Sequence, residues 1–286
     1  MPIFIFYLIS LTNKFNIMKN LNLILLAAFA LILYSCSSDD DNNNIDNGNG
    51  DIPSGELFIK KIESPHWNNE SDIFHYENDI LKFIEYCENY NNVSYFEYNG
   101  SNKVSKEYQF VDENFDVNTV NIDAVINDPE TNVNEYIYED GKAIRIDING
   151  SPNTFFSYNE NGLLIHISEN YYPNNSYLIH YEDNKITQIA QTYFGDTVIH
   201  TYVFDDKISP IYELFNHYGI LVYSNCIGYR DFQLLYKYPL FKNNVLTKTV
   251  DGNSKIANYL YLENNRPEAI IMTDWTGTQY SEFFTY

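Results

Sequence analysis

Basic residues are scarce: 17 Lys and Arg stand against 39 Asp and Glu in 286 residues, a formal charge of −22. That balance repels phosphate backbones and anionic headgroups, which excludes nucleic acid as a partner. Cysteine is scarcer still, with three in the chain and no CxxC or close Cys/His cluster, so a structural zinc site is excluded. There is no P-loop, no GxGxxG after a strand, no GxSxG elbow and no HExxH, which removes the chemistries those motifs carry. Past residue 55 no stretch shows sustained helical spacing with caps, apart from Ile211–Tyr218 after Pro210. No apolar run is long enough for a membrane-spanning helix, since the longest near the start, Leu23–Leu33, holds 11 residues.

What is abundant is aromatic side chain: Tyr 27 and Phe 19 bring the aromatic share to 17 %. With 44 % hydrophobic residues overall, there is material for one sizeable core.

The start of the chain reads as an address. Met18-Lys19-Asn20 is a short positive region, Leu23–Leu33 has the length of an export-signal core, and the run ends in Leu33-Tyr34-Ser35-Cys36. This ending resembles the bacterial lipoprotein lipobox, with an aliphatic residue at −3, a small residue at −1 and the obligatory Cys. The resemblance implies cleavage of residues 1–35, acyl chains on Cys36 and attachment to a membrane through them. Residues 1–17 place a second apolar stretch before Met18, a pattern that points to Met18 as the initiator. Cleavage would remove Lys14 and Lys19 and no acid, leaving −24. Residues 36–55, with SSDDDNNNIDNGNGDIPSG after the Cys, are polar and acidic and have little to bury, so they read as a disordered tether. An acidic cluster directly after the lipidated Cys resembles the surface-export signal of Bacteroidetes lipoproteins. A spacer facing the periplasm is the alternative. Cys87 and Cys226 remain in the body, either as a single disulfide of an exported chain or as two buried thiols.

From residue 56 to 286 one pattern dominates. Alternating runs end in an aromatic, pass an Asp/Asn/Glu/Gly turn and resume with aliphatic alternation. The copies are FHYENDILKFI (74–84), YFEYNGSNKV (95–104), YIYEDGKAIRI (136–146), FFSYNENGLLIHI (155–167), LIHYEDNKITQI (178–189), YVFDDKI (202–208), LLYKYPLFKNNVLTKTV (234–250) and YLYLENNRPEAI (259–270). Tyr76 to Tyr98 is 22 residues, Tyr138 to Tyr158 is 20, Tyr158 to Tyr181 and Tyr181 to Phe204 are 23 each, and Tyr238 to Tyr261 is again 23. A period of 20–23 holds two short strands and two turns, so the chain is an internal repeat of hairpins. The unit resembles the YD repeat of bacterial surface and toxin-shell proteins, although Asp205-Asp206-Lys207 and Asn264-Asn265-Arg266 lack its glycine. With the lipobox and tether, the chain resembles uncharacterised Bacteroidetes surface lipoproteins of porin-like β fold. The expected fold is all-β: a single antiparallel meander of more than ten strands, porin-like, as a partly closed barrel or extended sheet, with at most one short helix near 211–218. The closing Tyr280–Tyr286 reads as the opening strand of one more repeat. Charged turns at close intervals leave no continuous apolar belt for lipid, so the body is expected to be soluble and tethered at the outer membrane.

Chemistry is sparse. His166 and His180 are symmetric about position 173 and, with His200 on a following strand, form the best metal candidate, but no specific third ligand is apparent and neither metal nor cofactor is assigned. Most acids sit in turns such as Glu139-Asp140, Glu182-Asp183 and Asp205-Asp206, where turn geometry explains them. The expected function is non-catalytic binding of a neutral glycan or a protein, with Trp67 and Trp275 as the aromatic platform. The alternative is a periplasmic or surface hydrolase of glycosidase type using paired carboxylates.

Overall fold

The computed structural model describes residues 58–65, 70–86, 92–170, 175–222 and 237–286. Cys36, the tether, Trp67, Cys87 and Cys226 lie outside the described residues.

The described residues form sixteen strands, each antiparallel to its chain neighbours, and β1 pairs with β16 so that the sheet closes into a barrel. The strands are β1 Lys61–Ser64, β2 Glu70–Glu77, β3 Ile80–Tyr86, β4 Asn92–Tyr98, β5 Val104–Val111, β6 Asn132–Glu139, β7 Lys142–Ile148 and β8 Ser151–Tyr158. They continue as β9 Leu164–Glu169, β10 Asn175–Glu182, β11 Lys185–Tyr193, β12 Asp196–Ile208, β13 Asn243–Val250, β14 Asn253–Tyr261, β15 Pro267–Thr273 and β16 Gln279–Thr285. The meander expected from the repeat is therefore present, but it is fully closed rather than partly open. Closure follows from the ends of the chain: β16 is the first half of a repeat and β1 supplies the second, with Lys60 N–H donating to the Thr285 carbonyl at 2.6 Å. Both ends of the barrel chain thus lie on one rim, the terminal rim; the opposite one is the distal rim.

The repeat tyrosine has a definite job. Tyr76, Tyr138, Tyr158 and Tyr181 donate their hydroxyls to the carbonyls of Ile59, Val104, Ala143 and Leu164 at 2.7, 2.8, 2.9 and 2.9 Å, and Tyr98 donates to Leu81. Tyr286 repeats the bond to Pro267 at 3.0 Å. Each acceptor on β3, β5, β7, β9 and β15 is the residue paired with the previous repeat's tyrosine: Leu81 with Tyr76, Val104 with Tyr98, Ala143 with Tyr138, Leu164 with Tyr158 and Pro267 with Tyr261. A β-bulge immediately precedes the tyrosine in every one of these pairs. The extra residue on the returning strand bends it and strengthens the local twist, which closes the barrel and tips the ring inward. Burial pushes the phenols of Tyr158 and Tyr181 up to about 12, so they stay protonated donors.

The tight turns use Asn, Asp and Gly where φ must be positive. Asp140-Gly141 (φ 50° and 76°) and Asp251-Gly252 (49° and 78°) are two-residue hairpins. Where glycine is absent, Asn78-Asp79 (49° and 62°) and Asp183-Asn184 (49° and 61°) fill the same conformation.

Two expectations are corrected. Asp205-Asp206-Lys207 is not a turn but the end of β12, and Phe204 pairs with Val245 on β13. The hairpin there is interrupted by an insertion, so Tyr238 belongs to the insertion and not to a strand. The second correction is a helix beyond the single one expected. Besides α2 (Pro210–Tyr218), the described residues contain α1 (Ile122–Asn127), capped by the Asn121 side chain accepting from Ala124 N–H at 3.2 Å. Its six residues are too few for a periodic signal.

The helix at 210–218 forms as its residues require. Ser209 caps its N-terminus, Pro210 opens it, and Gly219 ends it at φ 71°. Its buried face is Ile211, Leu214, Phe215 and Tyr218, packed into one cluster with inward Phe74, Phe96, Tyr136, Phe156, Tyr177 and Tyr202. The described part of the insertion therefore fills the lumen from the terminal rim. Tyr218 donates to the Asp79 carbonyl at 2.7 Å, Lys103 Nζ to the last carbonyls of α2 at 2.7 and 2.9 Å, and Arg266 pairs with Glu213 at 3.1 Å.

The outer face is mixed. Ion pairs Lys61–Glu63 and Arg145–Asp147 stand on it beside exposed Leu178, Val203, Ile256 and Leu260. Across β2–β5, His75, Phe83, Tyr95 and Tyr108 face one another in register, and Phe115 from the β5–β6 connection folds back onto His75 and Phe83 at 5.8 and 5.4 Å between ring centres.

Candidate functional site

Polar chemistry collects inside the barrel toward the distal rim. Glu107 on β5 is buried, and both its oxygens are engaged: Oε1 accepts from Ser94 Oγ at 2.6 Å and Gln109 Nε2 at 2.9 Å, Oε2 from Asn134 Nδ2 at 2.9 Å. Glu169 at the end of β9 is equally enclosed. Its Oε2 accepts from Asn175 Nδ2 at 2.6 Å, while Oε1 takes the Tyr238 hydroxyl and lies 3.2 Å from Lys237 Nζ. Burial and, next, the Glu169 carboxylate push the Tyr238 phenol upward, so it stays protonated. Each of these carboxylates is a structural anchor with donors on both oxygens. Glu169 fixes the inserted segment to the wall, and neither presents an oxygen poised for acid–base work. The turn acids that the hydrolase alternative would draw on, Glu139-Asp140 and Glu182-Asp183, lie at the opposite, terminal rim.

The histidines do not converge. His166 pairs with Leu178 and His180 with Gln188, so the β9–β10 hairpin is centred on residue 172 and not 173. Both point outward, whereas His200 points inward against Ile189. A one-residue change of centre moves every cross-strand partner by two, which separates the pair. Among the described residues no group of three metal-ligating side chains comes together. Burial and, next, the Lys248 ammonium push His200 down to about 4, against a smaller opposing effect of Asp251. Its Nε2 lies 3.1 Å from Gln191 Oε1 and its buried Nδ1 lacks a hydrogen-bond partner, so the ring is neutral.

Trp275 is 63 % exposed at the tip of the β15–β16 turn on the distal rim. The turn is rigid. Asp274 Oδ1 accepts from Thr276 N–H, Thr276 Oγ1 and Thr278 N–H at 2.8, 2.6 and 3.0 Å, and Oδ2 from Tyr280 at 3.0 Å. These bonds, led by that from the Thr276 hydroxyl, hold the Asp274 carboxyl down at about 2. Lys255 Nζ lies over the indole at 4.7 Å.

One exposed aromatic escaped the sequence reading. Phe194, in Tyr193-Phe194-Gly195-Asp196, holds φ 51° at a position that every comparable described turn gives to Asn, Asp or Gly. The signal was readable, since a bulky ring precedes the turn glycine where Asn or Asp belongs.

No family model matches the chain, and no curated protein matches it. Among solved structures it is similar to a porin-like protein from Bacteroides uniformis, at 11 % identity and a TM-score of 0.41, over 79 % of this chain and 97 % of that one. It is also similar to the Photorhabdus luminescens Tc holotoxin pore, at 11 % identity and a TM-score of 0.28, over 74 % of this chain and 9 % of that one.

Proposed function

We propose that this is a lipid-anchored protein of the cell envelope whose barrel binds a neutral glycan or a protein and does not catalyse. In this reading residues 1–35 are the signal, Cys36 carries the acyl chains at the outer membrane, and residues 36–55 hold the barrel on the cell-surface side. Nucleic acid is not a partner, given the charge of −22. The observation that carries the reading is a barrel filled by its own aromatic side chains and by α2. Its described lumen is core, not channel, and chemistry at the surface is left to rims and turns. The hydrolase alternative has less support, because the enclosed carboxylates Glu107 and Glu169 are fully engaged by neighbours.

Metabolic labelling with a fatty-acid probe tests the anchor. Wild type should acquire the label and Cys36→Ala should lose it; a label retained by the variant, or absent from wild type, overturns the assignment. Turnover of a polysaccharide abolished by one carboxylate substitution would hand the protein to the hydrolase class.

A further inference from the structure

Charge is unevenly placed on the outer wall of the barrel. On β1–β7 the outward positions of the ladder include Glu63, Glu85, Glu97, Lys106, Glu135 and Arg145. From β8 to β16 the outward cross-strand rows contain no Asp, Glu, Lys or Arg among the described residues. Exposed acids of these strands stand instead at bulges or in turns, as Glu182, Asp251 and Glu268 do. Register joins the apolar members of the uncharged rows into one surface. Leu178 pairs with Ala190 and that with Ile199; Val203 pairs with Thr247 and that with Ile256; Leu260 pairs with Ala269 and that with Phe283. Ile199 and Val203 share the outward side of β12, and Ile256 and Leu260 that of β14, so the three rows adjoin. Their large side chains are open to solvent, from 38 % at Ile199 to 56 % at Val203.

Single exposed aliphatics are ordinary, but a contiguous run of them on a wall cleared of charge is the composition of an interface core. We infer that the outer wall of β12–β16 seats the same wall of a second copy of this chain. Charge selects that occupant. Two chains at a formal −22 repel each other, and this wall lets them meet without burying an ion. A twofold contact also sets a patch against itself, which an uncharged patch satisfies and an acidic one does not. Other occupants fit less well. Thr201, Thr247, Asn258 and Ser281 lie among the aliphatics and would be penalised in a bilayer interior. A sugar polymer stacks on rings, whereas the centre of this wall is Val203, Ile256 and Leu260. Size is consistent with a pair. Five strands at about 4.8 Å and four outward residues along each give roughly 500 Å² per copy, or about 1,000 Å² in all. That is the lower end of a specific interface, so association should depend on concentration. The inference stands apart from the ligand reading above, because it uses neither the rims nor the tryptophans.

Photo-crosslinking of the full-length chain in cells tests this, with p-benzoylphenylalanine placed at Asn258, in the middle of the patch, and two differently tagged copies expressed together. Irradiation should give an adduct of twice the chain mass that carries both tags. The same probe at Val111, exposed at the end of β5 on the charged side, should give none. The double substitution Val203→Glu, Ile256→Glu should lower the adduct from Asn258 by about tenfold, since each copy then brings two acids into the contact. Val111→Glu in the same background should leave it unchanged. All three altered side chains are largely exposed, so the melting temperatures should match wild type, which separates lost association from lost folding. An adduct carrying both tags that survives the double substitution overturns the site. Irradiation that leaves the Asn258 probe at monomer mass, or joins it only to lipid or to a different protein, overturns the second copy as occupant.

Discussion

A tyrosine hydroxyl bonded to a strand carbonyl is a small interaction, and here it recurs at nearly every repeat. Tyr98→Phe keeps the ring and strands the Leu81 carbonyl, so it should lower unfolding free energy by about 1–2 kcal/mol in urea titration. Phe204, where the repeat itself omits the hydroxyl, shows that one missing link is tolerated. The phenols also set an alkaline limit. Folded Tyr158 and Tyr181 hold their protons to about 12 against an ordinary 10.0, so their contribution is intact below pH 10 and lost as pH rises through 12. The share of tyrosinate absorbance that Tyr158→Phe and Tyr181→Phe remove should therefore appear together with loss of the β spectrum and not before it. On the acid side, His200 titrates at about 4 when folded and 6.5 when free. The unfolded chain then binds the extra proton between those values, and stability should fall as pH drops from 6.5 toward 4. His200→Gln should flatten that part of a plot of melting temperature against pH; an unchanged slope would remove His200 as its cause.

At the scale of elements, α2 was legible because four signals agree: Ser209 before Pro210, apolar residues at 211, 214, 215 and 218, and Gly219 after them. Its role as a plug was not legible, because spacing identifies a buried face and not what buries it. Leu214 is fully buried against the barrel core, so Leu214→Ala should cost about 2–5 kcal/mol, measurable by chemical denaturation. The strands were readable from alternation and from turn residues. The exception, β12 into β13, shows the limit of period counting. Tyr238 keeps the spacing of 23 to Tyr261, yet it sits in an insertion, bonded to Glu169, while Phe204 and Val245 hold the register 41 positions apart.

For the whole molecule, closure changes how damage spreads. In an open meander the last hairpin could be removed with only a weakened edge. In this barrel β16 is hydrogen-bonded to both β15 and β1, so deleting residues 267–286 exposes two edges and the core between them. The truncated chain should lose the cooperative transition entirely and bind a hydrophobic dye, as read by thermal melting and dye fluorescence. A truncated protein with a sharp, merely lowered melting transition would contradict the account.

Alternation, turn chemistry and a 20–23 period are local properties, and they were enough to establish an antiparallel all-β body with a short helix at 211–218, because period-2 patterning and positive-φ residues act over a few positions. They also placed the tyrosines at equivalent points of each repeat. What each tyrosine bonds to, that β1 completes the repeat begun by β16, that the histidines part to opposite faces, and that Phe194 and Trp275 come to one rim are consequences of register and closure. Those depend on contacts between residues far apart in the chain. Bulges shift register by single residues, and no local pattern specifies where the accumulated twist brings the two ends together.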